Sequence, residues 1–241
     1  QLREKILDNR LSGDQILTMA RGMSSEVIAA LAKLMGNLDL MYVSRKLYVR
    51  AHCNTTIGEP GTFAVRLQPN HPTDNVQGVT ASLLEGLSYG AGDAVIGLNP
   101  AIDTLKSTSD ILNLFHDVKE RLHIPTQTCV LSHITTQLAA LKSGVPMDLC
   151  FQSIAGSQAA LASFGTDVEM LAEANDLMRR YSTAEGPNYM YFETGQGSEL
   201  SSGGHNGADQ LVMESRCYGL ARHFHPFLVN TVVGFIGPEY I

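Results

Sequence analysis

The sequence predicts an α/β fold in which parallel strands alternate with helices, and two patterns predict it. From Thr62 onward, apolar runs start roughly every 25 to 40 residues, and each is followed by a segment with helical spacing of its apolar residues. Most of these runs end in polar residues. Polar residues at the carboxyl ends of successive parallel strands are typical of an active site at that edge of a barrel or sheet.

The first part of the chain precedes this alternation and is predicted to be helical. In 24–41, apolar residues recur on one helical face, and Ser24 or Ser25 is suited to be the N-cap. This face consists of Val27, Ile28, Leu31, Leu34, Met35 and Leu38. The following segment, 53–61, is rich in turn residues and marks a boundary. We therefore expect an N-terminal helical segment, 1–52, and a βα-barrel domain, 53–241.

The alternating part contains six strand candidates. They lie at about 62–68, 93–98, 126–132, 148–154, 188–193 and 228–236. A closed TIM-type (β/α)8 barrel has eight strands. The chain also begins at Gln1 without a Met and stops within an apolar run. We therefore expect an incomplete TIM-type barrel, open at its C-terminal side, in a fragment of a longer protein.

The alternation of side chains along a strand assigns the polar strand ends to one face. Arg66 and Gln68 share a face, and the same reasoning places Asn99 and Glu193 inside the barrel with them. Burying an Arg and a Glu costs several kcal/mol per ion unless they are paired and hydrogen-bonded. Apolar residues would fill the space at lower cost. The group therefore favours a functional site over a purely structural ion pair.

Charge and composition argue against several classes of function. The net charge of −7 leaves no basic footprint for nucleic acid or for an anionic membrane surface, and no apolar run is long enough to span a bilayer. The four cysteines lack metal-ligand spacing, which predicts buried thiols in a reducing, cytoplasmic compartment.

Two further features near the strand ends have simple interpretations. His133 ends a strand, but no HxH or HExxH motif accompanies it, so no metal site is expected. The glycine-rich loop 195–207 lacks a dinucleotide fingerprint and is expected to lie over the site.

Several long strings resemble the large subunit of ethanolamine ammonia-lyase. They are RLQPNHPTD at 66–74, IPTQTCVLSHITTQLAAL at 124–141, FQSIAG at 151–156, YFETGQGSELSSGG at 191–204 and VNTVVGFIGPEY at 229–240. The resemblance implies a TIM-type barrel with N-terminal helices that converts ethanolamine to acetaldehyde and ammonia by adenosylcobalamin-dependent radical chemistry. It also implies a small-subunit partner, a homo-oligomer of large subunits, and an association with bacterial microcompartments.

The resemblance also implies roles for individual residues. Glu193 matches the carboxylate that binds the substrate ammonium, and Arg66 matches an arginine near the hydroxyl and the migrating group. Gln68 and Asn99 match polar substrate contacts, and Phe235 matches an apolar wall.

A second set of positions concerns the cofactor and the departures from the family pattern. Ser153 and the segment around Phe164 match a region near the adenosyl group. The chain departs at Ser163, where an acidic residue is expected in some members, and it lacks the family's aspartate from the last barrel strand.

Two other classes of function stay open at this point. One is a cofactor-free barrel enzyme, an acid–base isomerase or hydrolase that uses Glu193 and His133. The other is a non-catalytic protein that only helps to assemble a bacterial compartment.

Overall fold

The computed structural model describes residues 1–195 and 203–231, and it begins with short helices. These are α1 (Leu2–Leu7), α2 (Gly13–Ala20), α3 (Ser25–Lys33) and α4 (Asn37–Ser44). The hydroxyl of Ser24 accepts a hydrogen bond from the backbone N of Val27 at 3.4 Å, which confirms one of the two predicted caps.

The apolar stripe over 24–41 is divided between two helices, α3 and α4, because the chain leaves the helix before Gly36. Glycine is a weak helix former. Here the backbone N of Gly36 donates to Asp39 at 3.2 Å, which starts a new helix. Much of the predicted apolar face is exposed: the accessible fractions of Leu34 and Leu38 are 67% and 81%.

A small antiparallel hairpin follows the helices and was not anticipated from the sequence. It comprises β1 (Ala51–His52) and β2 (Thr56–Ile57). Its turn residue Cys53 is fully buried, and its carbonyl accepts from the backbone N of Gly186 at 3.0 Å. The side chain of Asn54 donates to the carbonyl of Thr126 at 2.9 Å. These contacts attach the hairpin to the amino ends of the strands described next.

Six parallel strands form the centre of the described chain. β3 (Arg66–Leu67), β4 (Val95–Leu98) and β5 (Thr128–Val130) make one sheet, and β6 (Cys150–Ile154), β7 (Met190–Thr194) and β8 (Leu228–Thr231) make the other. The connecting helices are α5 (Val76–Ser88), α6 (Leu105–Leu122), α7 (Ile134–Lys142), α8 (Gln158–Ser163), α9 (Val168–Tyr181) and α10 (Gln210–His223). The predicted strand at 62–68 is confined to Arg66–Leu67, since the residues before it are exposed.

The two sheets adjoin and curve. The backbone N of Leu149 donates to the carbonyl of Thr128 at 3.2 Å, which connects β5 to the start of β6. The six strands therefore follow one another in chain order. Strands lie about 4.8 Å apart, so β3 and β7 would be roughly 19 Å apart in a flat sheet. Arg66 of β3 nevertheless bonds Glu193 of β7 at 3.0 Å, which requires a strongly curved arrangement. Among the described strands, β3 and β8 remain at the two edges.

The strands separate two apolar layers, as the alternation predicted. The outer layer lies between the strands and the helices. It includes Ile96, Leu98, Val130, Ile154, Met190 and Phe192 together with Leu83, Ile111 and Phe115. The inner layer lies on the concave face and includes Val95, Cys129, Leu149, Phe151, Tyr191 and Phe227. All four cysteines are buried in these layers or beside them. In the described parts of the chain, no helix combines the length and apolar character needed to cross a membrane.

A buried ion pair joins α6 to the start of β6. The ammonium of Lys119 donates to both carboxylate oxygens of Asp148 at 3.0 and 2.8 Å. The backbone N of Thr128 and the hydroxyl of Thr183 also donate to this carboxylate, at 3.0 and 2.7 Å. The Lys119 and Asp148 side chains are 8% and 1% exposed. Neither residue lies at the carboxyl end of a strand, and the pattern of polar strand ends therefore did not predict this pair.

Candidate active site

Several polar side chains at the carboxyl ends of the strands bind backbone N–H groups of the neighbouring loops and helix starts. Asn70, in the loop after β3, accepts from the backbone N of Asn99 at 2.9 Å. Asp103, in the loop after β4, accepts from the backbone N of His133 at 2.7 Å. Gln152 of β6 accepts from the backbone N of Ile134 at 2.9 Å. Part of the polar row seen in the sequence is therefore structural, because these groups satisfy backbone donors that have no partner in a helix or sheet.

A second set of polar side chains converges on the concave face. The guanidinium of Arg66 donates through Nη1 to Oε1 of Glu193 at 3.0 Å and through Nη2 to Oε1 of Gln68 at 2.6 Å. The Nδ2 of Asn230, on β8, donates to Oε1 of Glu193 at 3.1 Å. The Tyr191 hydroxyl donates to the same oxygen at 2.9 Å and also contacts Nη1 of Arg66. Three strands thus contribute to one charged cluster.

The cluster is enclosed but still reachable by solvent. The Arg66 and Glu193 side chains are 18% and 16% exposed, whereas Tyr191 is fully buried. Burial raises the pKa of Tyr191 far above its ordinary value, and the nearby Cys129 and Glu193 add to this effect. The phenol therefore stays neutral. Burial likewise raises the pKa of Cys129 well above the usual range for a thiol, so this group is not an available nucleophile.

Gly97 lies beside Arg66 and Leu131, and it was not among the residues predicted to be near the site. A Cβ at this position on β4 would lie 3.3 Å from Cδ1 of Leu131 and 3.7 Å from Nε of Arg66. The Nε atom of Arg66 is buried without a hydrogen-bond partner. A glycine inside an otherwise apolar strand often marks close approach of another group, and the run Val95–Leu98 carried that signal.

A cavity of about 370 Å³ lies next to the cluster, at the carboxyl ends of β5, β6 and β7. Its walls include His133, Ser153, Phe164, Glu193 and Gly195. A Cβ on Gly195 would come within 2.6 Å of the Phe164 ring, so the missing side chain lets the ring occupy its place. The volume falls in the range of small-molecule sites, about 300 to 1,000 Å³. The arrangement can hold a small ligand that carries both a cationic and a hydrogen-bonding group.

His133 also faces this cavity, but its ring is engaged in local structure. Nδ1 accepts from the backbone N of Thr135 at 3.3 Å and lies 2.7 Å from its hydroxyl. With Nδ1 as acceptor, Nε2 carries the proton and donates to the carbonyl of Phe164 at 3.0 Å. Both ring nitrogens are thus occupied in holding α7 and the end of α8, and no observation supports an acid–base role for this residue.

The remaining predicted positions differ in how they relate to the cluster. Asn99 follows β4 and is exposed, and no described contact joins its side chain to Arg66 or Glu193. The Ser163 hydroxyl donates within α8, to the carbonyl of Ala160 at 2.7 Å. Phe235 and residues 196–202 of the predicted glycine-rich loop lie outside the described residues. Tyr191 and Asn230 are the members of the cluster to which the sequence analysis assigned no role.

The fold and the site define a class, and comparison with known proteins then identifies the family. The class is a parallel α/β protein with a charged site at the carboxyl ends of its strands. The model of the family described as ethanolamine ammonia lyase large subunit matches residues 1–241. The chain therefore belongs to this family.

Curated relatives agree with this assignment. The ethanolamine ammonia-lyase large subunits of Escherichia coli K12 and of Salmonella typhimurium LT2 are each 52% identical to this chain over 241 residues. The alignment covers 100% of this chain and 53% of each relative. The chain thus spans about half the length of the curated relatives that it matches.

Proposed function

We propose that this chain carries the substrate-binding part of an adenosylcobalamin-dependent enzyme that deaminates ethanolamine to acetaldehyde and ammonia. The observation that carries the proposal is the Glu193 carboxylate, which is largely buried, borders a cavity and has one oxygen to which no described residue donates. A primary ammonium in such a site requires a nearby anion, because an unpaired buried charge is costly. Family membership supplies the identity of the amino alcohol.

The curvature of the strands supports a TIM-type barrel for the complete protein. Six parallel strands in chain order already bring β3 within side-chain reach of β7. Two more strands would occupy the gap between β8 and β3 and reach the eight that such a barrel has. We retain the division into a helical segment, 1–52, and a barrel domain, 53–241. The hairpin at Ala51–Ile57 lies across that boundary and contacts the amino ends of the strands.

Five residues have a proposed task in this reaction, as the family resemblance implies. Glu193 binds the substrate ammonium, and Arg66 faces the hydroxyl and the migrating amino group. Gln68, held by Arg66 at 2.6 Å, and Asn99 are polar contacts of the substrate. Phe235 is an apolar wall that excludes water. A site that keeps water away also protects a reactive intermediate from side reactions.

The lining of the cavity supports a place for the adenosyl group of the cofactor beside the substrate. Ser153 offers a hydroxyl and Phe164 an aromatic surface in the wall of the cavity that Glu193 also lines. Adenosylcobalamin, when bound, would supply the radical that removes a hydrogen atom from the substrate. The protein residues bind, orient and shield. We also propose that the complete large subunit acts with a small subunit in a homo-oligomer, in the cytoplasm or in a bacterial microcompartment, as the family resemblance implies.

The test uses the full-length large subunit with its small subunit and adenosylcobalamin. Ethanolamine should yield acetaldehyde only when the cofactor is present. Glu193→Gln should lower kcat/KM by about 100-fold or more, because the ammonium loses its charged partner. Glu185→Gln is the matched control, since that side chain is 81% exposed and away from the cluster. Acetaldehyde formation without cobalamin, or near-normal turnover by Glu193→Gln, would contradict the proposal.

A further inference from the structure

The Glu193 carboxylate is bound asymmetrically. Arg66, Tyr191 and Asn230 all donate to Oε1, at 3.0, 2.9 and 3.1 Å. No residue in the described part of the chain donates to Oε2. A carboxylate oxygen has about two lone-pair positions, so three donors saturate Oε1. Any further donor, such as a ligand ammonium, is left with Oε2.

The direction of the Tyr191 proton follows from its two neighbours. A phenol has one O–H to donate, and a guanidinium has donors only. The Tyr191 oxygen must therefore accept from Arg66, and its proton must go to Glu193. Burial raises the pKa of this phenol, which favours the protonated form that can donate to Glu193.

Packing holds the Tyr191 ring in place independently of its hydroxyl. The ring meets Phe151 edge-on, with 5.3 Å between centroids, and the Arg66 guanidinium carbon lies 5.4 Å from its centroid. Tyr191 and Glu193 are two residues apart on β7 and point to the same face. A phenylalanine would keep these ring contacts and remove only the hydroxyl.

We propose that Tyr191 is a positioning residue for the ammonium site. Its hydroxyl, together with Asn230, fixes Oε1 of Glu193 and bridges it to Arg66, so that Oε2 is presented to the substrate ammonium. This inference rests on the proposed function. It adds a residue that does not touch the substrate but determines how the carboxylate meets it.

The decisive measurement distinguishes the contribution of the ammonium group to binding affinity from that of the rest of the ligand. In the complex of full-length large and small subunits without cofactor, where ethanolamine is not consumed, the affinities for ethanolamine and for ethylene glycol are measured by calorimetry. Ethylene glycol has the same size but no positive charge. Tyr191→Phe should weaken ethanolamine binding by about 10- to 100-fold, the effect of one hydrogen bond to a charged group, and leave ethylene glycol within about twofold.

Two further variants complete the experiment. Tyr189→Phe, which removes a hydroxyl bonded to the Glu185 carbonyl at 3.3 Å, should leave both affinities unchanged. Asn230→Ser should weaken ethanolamine selectively, but less than Tyr191→Phe, because Arg66 and Tyr191 still hold Oε1. It provides an independent test if Tyr191→Phe does not fold.

The outcomes distinguish this inference from the proposed function. If Glu193→Gln loses ethanolamine but Tyr191→Phe binds it as the wild type does, the inference is wrong and the proposed function stands. Equal weakening of both ligands by Tyr191→Phe would also contradict it, since this is the result of general disorder in the site. If Glu193→Gln binds ethanolamine normally, the proposed function is wrong together with the inference.

Discussion

Two ion pairs in this protein are similar in length but differ in how their polar atoms are used. Lys119 and Asp148 lie between α6 and the start of β6, and their side chains are 8% and 1% exposed. Both Asp148 oxygens have two or more donors. Arg66 and Glu193 lie on the concave face and are 18% and 16% exposed.

The Arg66–Glu193 pair has a hydrogen-bond acceptor that no described residue uses. The described donors to Glu193 all bind Oε1, no described residue donates to Oε2, and this side chain lines the cavity. An ion pair whose groups are fully satisfied contributes to the integrity of the fold. A pair with unused groups beside a cavity is suited to bind a ligand, because the missing contact can be made by that ligand. The predictions below test this distinction.

The largest effect is expected from breaking the satisfied pair. Asp148→Ala leaves the Lys119 ammonium buried without its anion and removes the acceptor for Thr128 and Thr183. We expect the free energy of unfolding to fall by about 3 to 5 kcal/mol. Chemical denaturation of the complete subunit measures this. Lys106→Met, which removes the exposed pair with Asp110 on the same helix, should change stability by about 0.5 kcal/mol or less.

A smaller stability loss is expected at the other pair. Arg66→Met removes the partner of Glu193, but that carboxylate is open to water through the cavity and keeps its bonds from Tyr191 and Asn230. We expect a loss of about 1 to 2 kcal/mol in the free energy of unfolding, together with loss of ethanolamine turnover. A destabilisation as large as that of Asp148→Ala would show that the two pairs do not differ in the way proposed.

The exclusion of water from the start of β6, where Asp148 lies, can be tested through the pKa of the Cys150 thiol. Burial raises the pKa of this thiol from its usual 9.0 to about 12. Below pH 9 the thiol is protonated in both states. Between pH 9 and 12 the unfolded chain releases the proton and the folded chain does not, so stability falls as pH rises, by up to about 1.4 kcal/mol per pH unit.

The measurement compares the pH dependence of unfolding in the wild type and in Cys150→Val between pH 8.5 and 10.5. The variant should show a shallower loss, and the difference isolates this one thiol from the other cysteines. Parallel slopes would mean that Cys150 is hydrated in the folded protein.

The smallest effect is expected from crowding Leu131, next to Arg66. Gly97→Ala adds a Cβ at 3.3 Å from Leu131 and 3.7 Å from Nε of Arg66. Alanine lowers the conformational entropy of the unfolded chain, which offsets the cost of crowding in the folded state. The free energy of unfolding should therefore change by about 1 kcal/mol or less. Leu131 must give way, whereas the guanidinium stays in ordinary contact at 3.7 Å, so kcat/KM should fall by about threefold or less. Gly22→Ala, whose Cβ would meet only the Met19 carbonyl at 3.6 Å, is the control and should leave kcat/KM unchanged.

Local patterns predicted a large part of this fold. The period-two alternation in 189–194 placed Tyr191 and Glu193 on one face, because successive strand side chains point in opposite directions whatever surrounds them. The apolar runs predicted the six parallel strands in order. The apolar stripe over 24–41 did not reveal the break between α3, which ends at Lys33, and α4, which begins after Gly36.

Local sequence patterns predicted the order of strands and helices, the shared face of Tyr191 and Glu193 on β7, and the family to which the chain is similar. The tertiary structure brings Lys119 to Asp148 and places Tyr191 between Arg66 and Glu193. It also sets the Asn70 and Asp103 side chains against backbone N–H groups. The physical reason is that side-chain direction follows from local backbone geometry. The partner of a buried polar group instead depends on strand curvature, which brings together residues far apart in the chain.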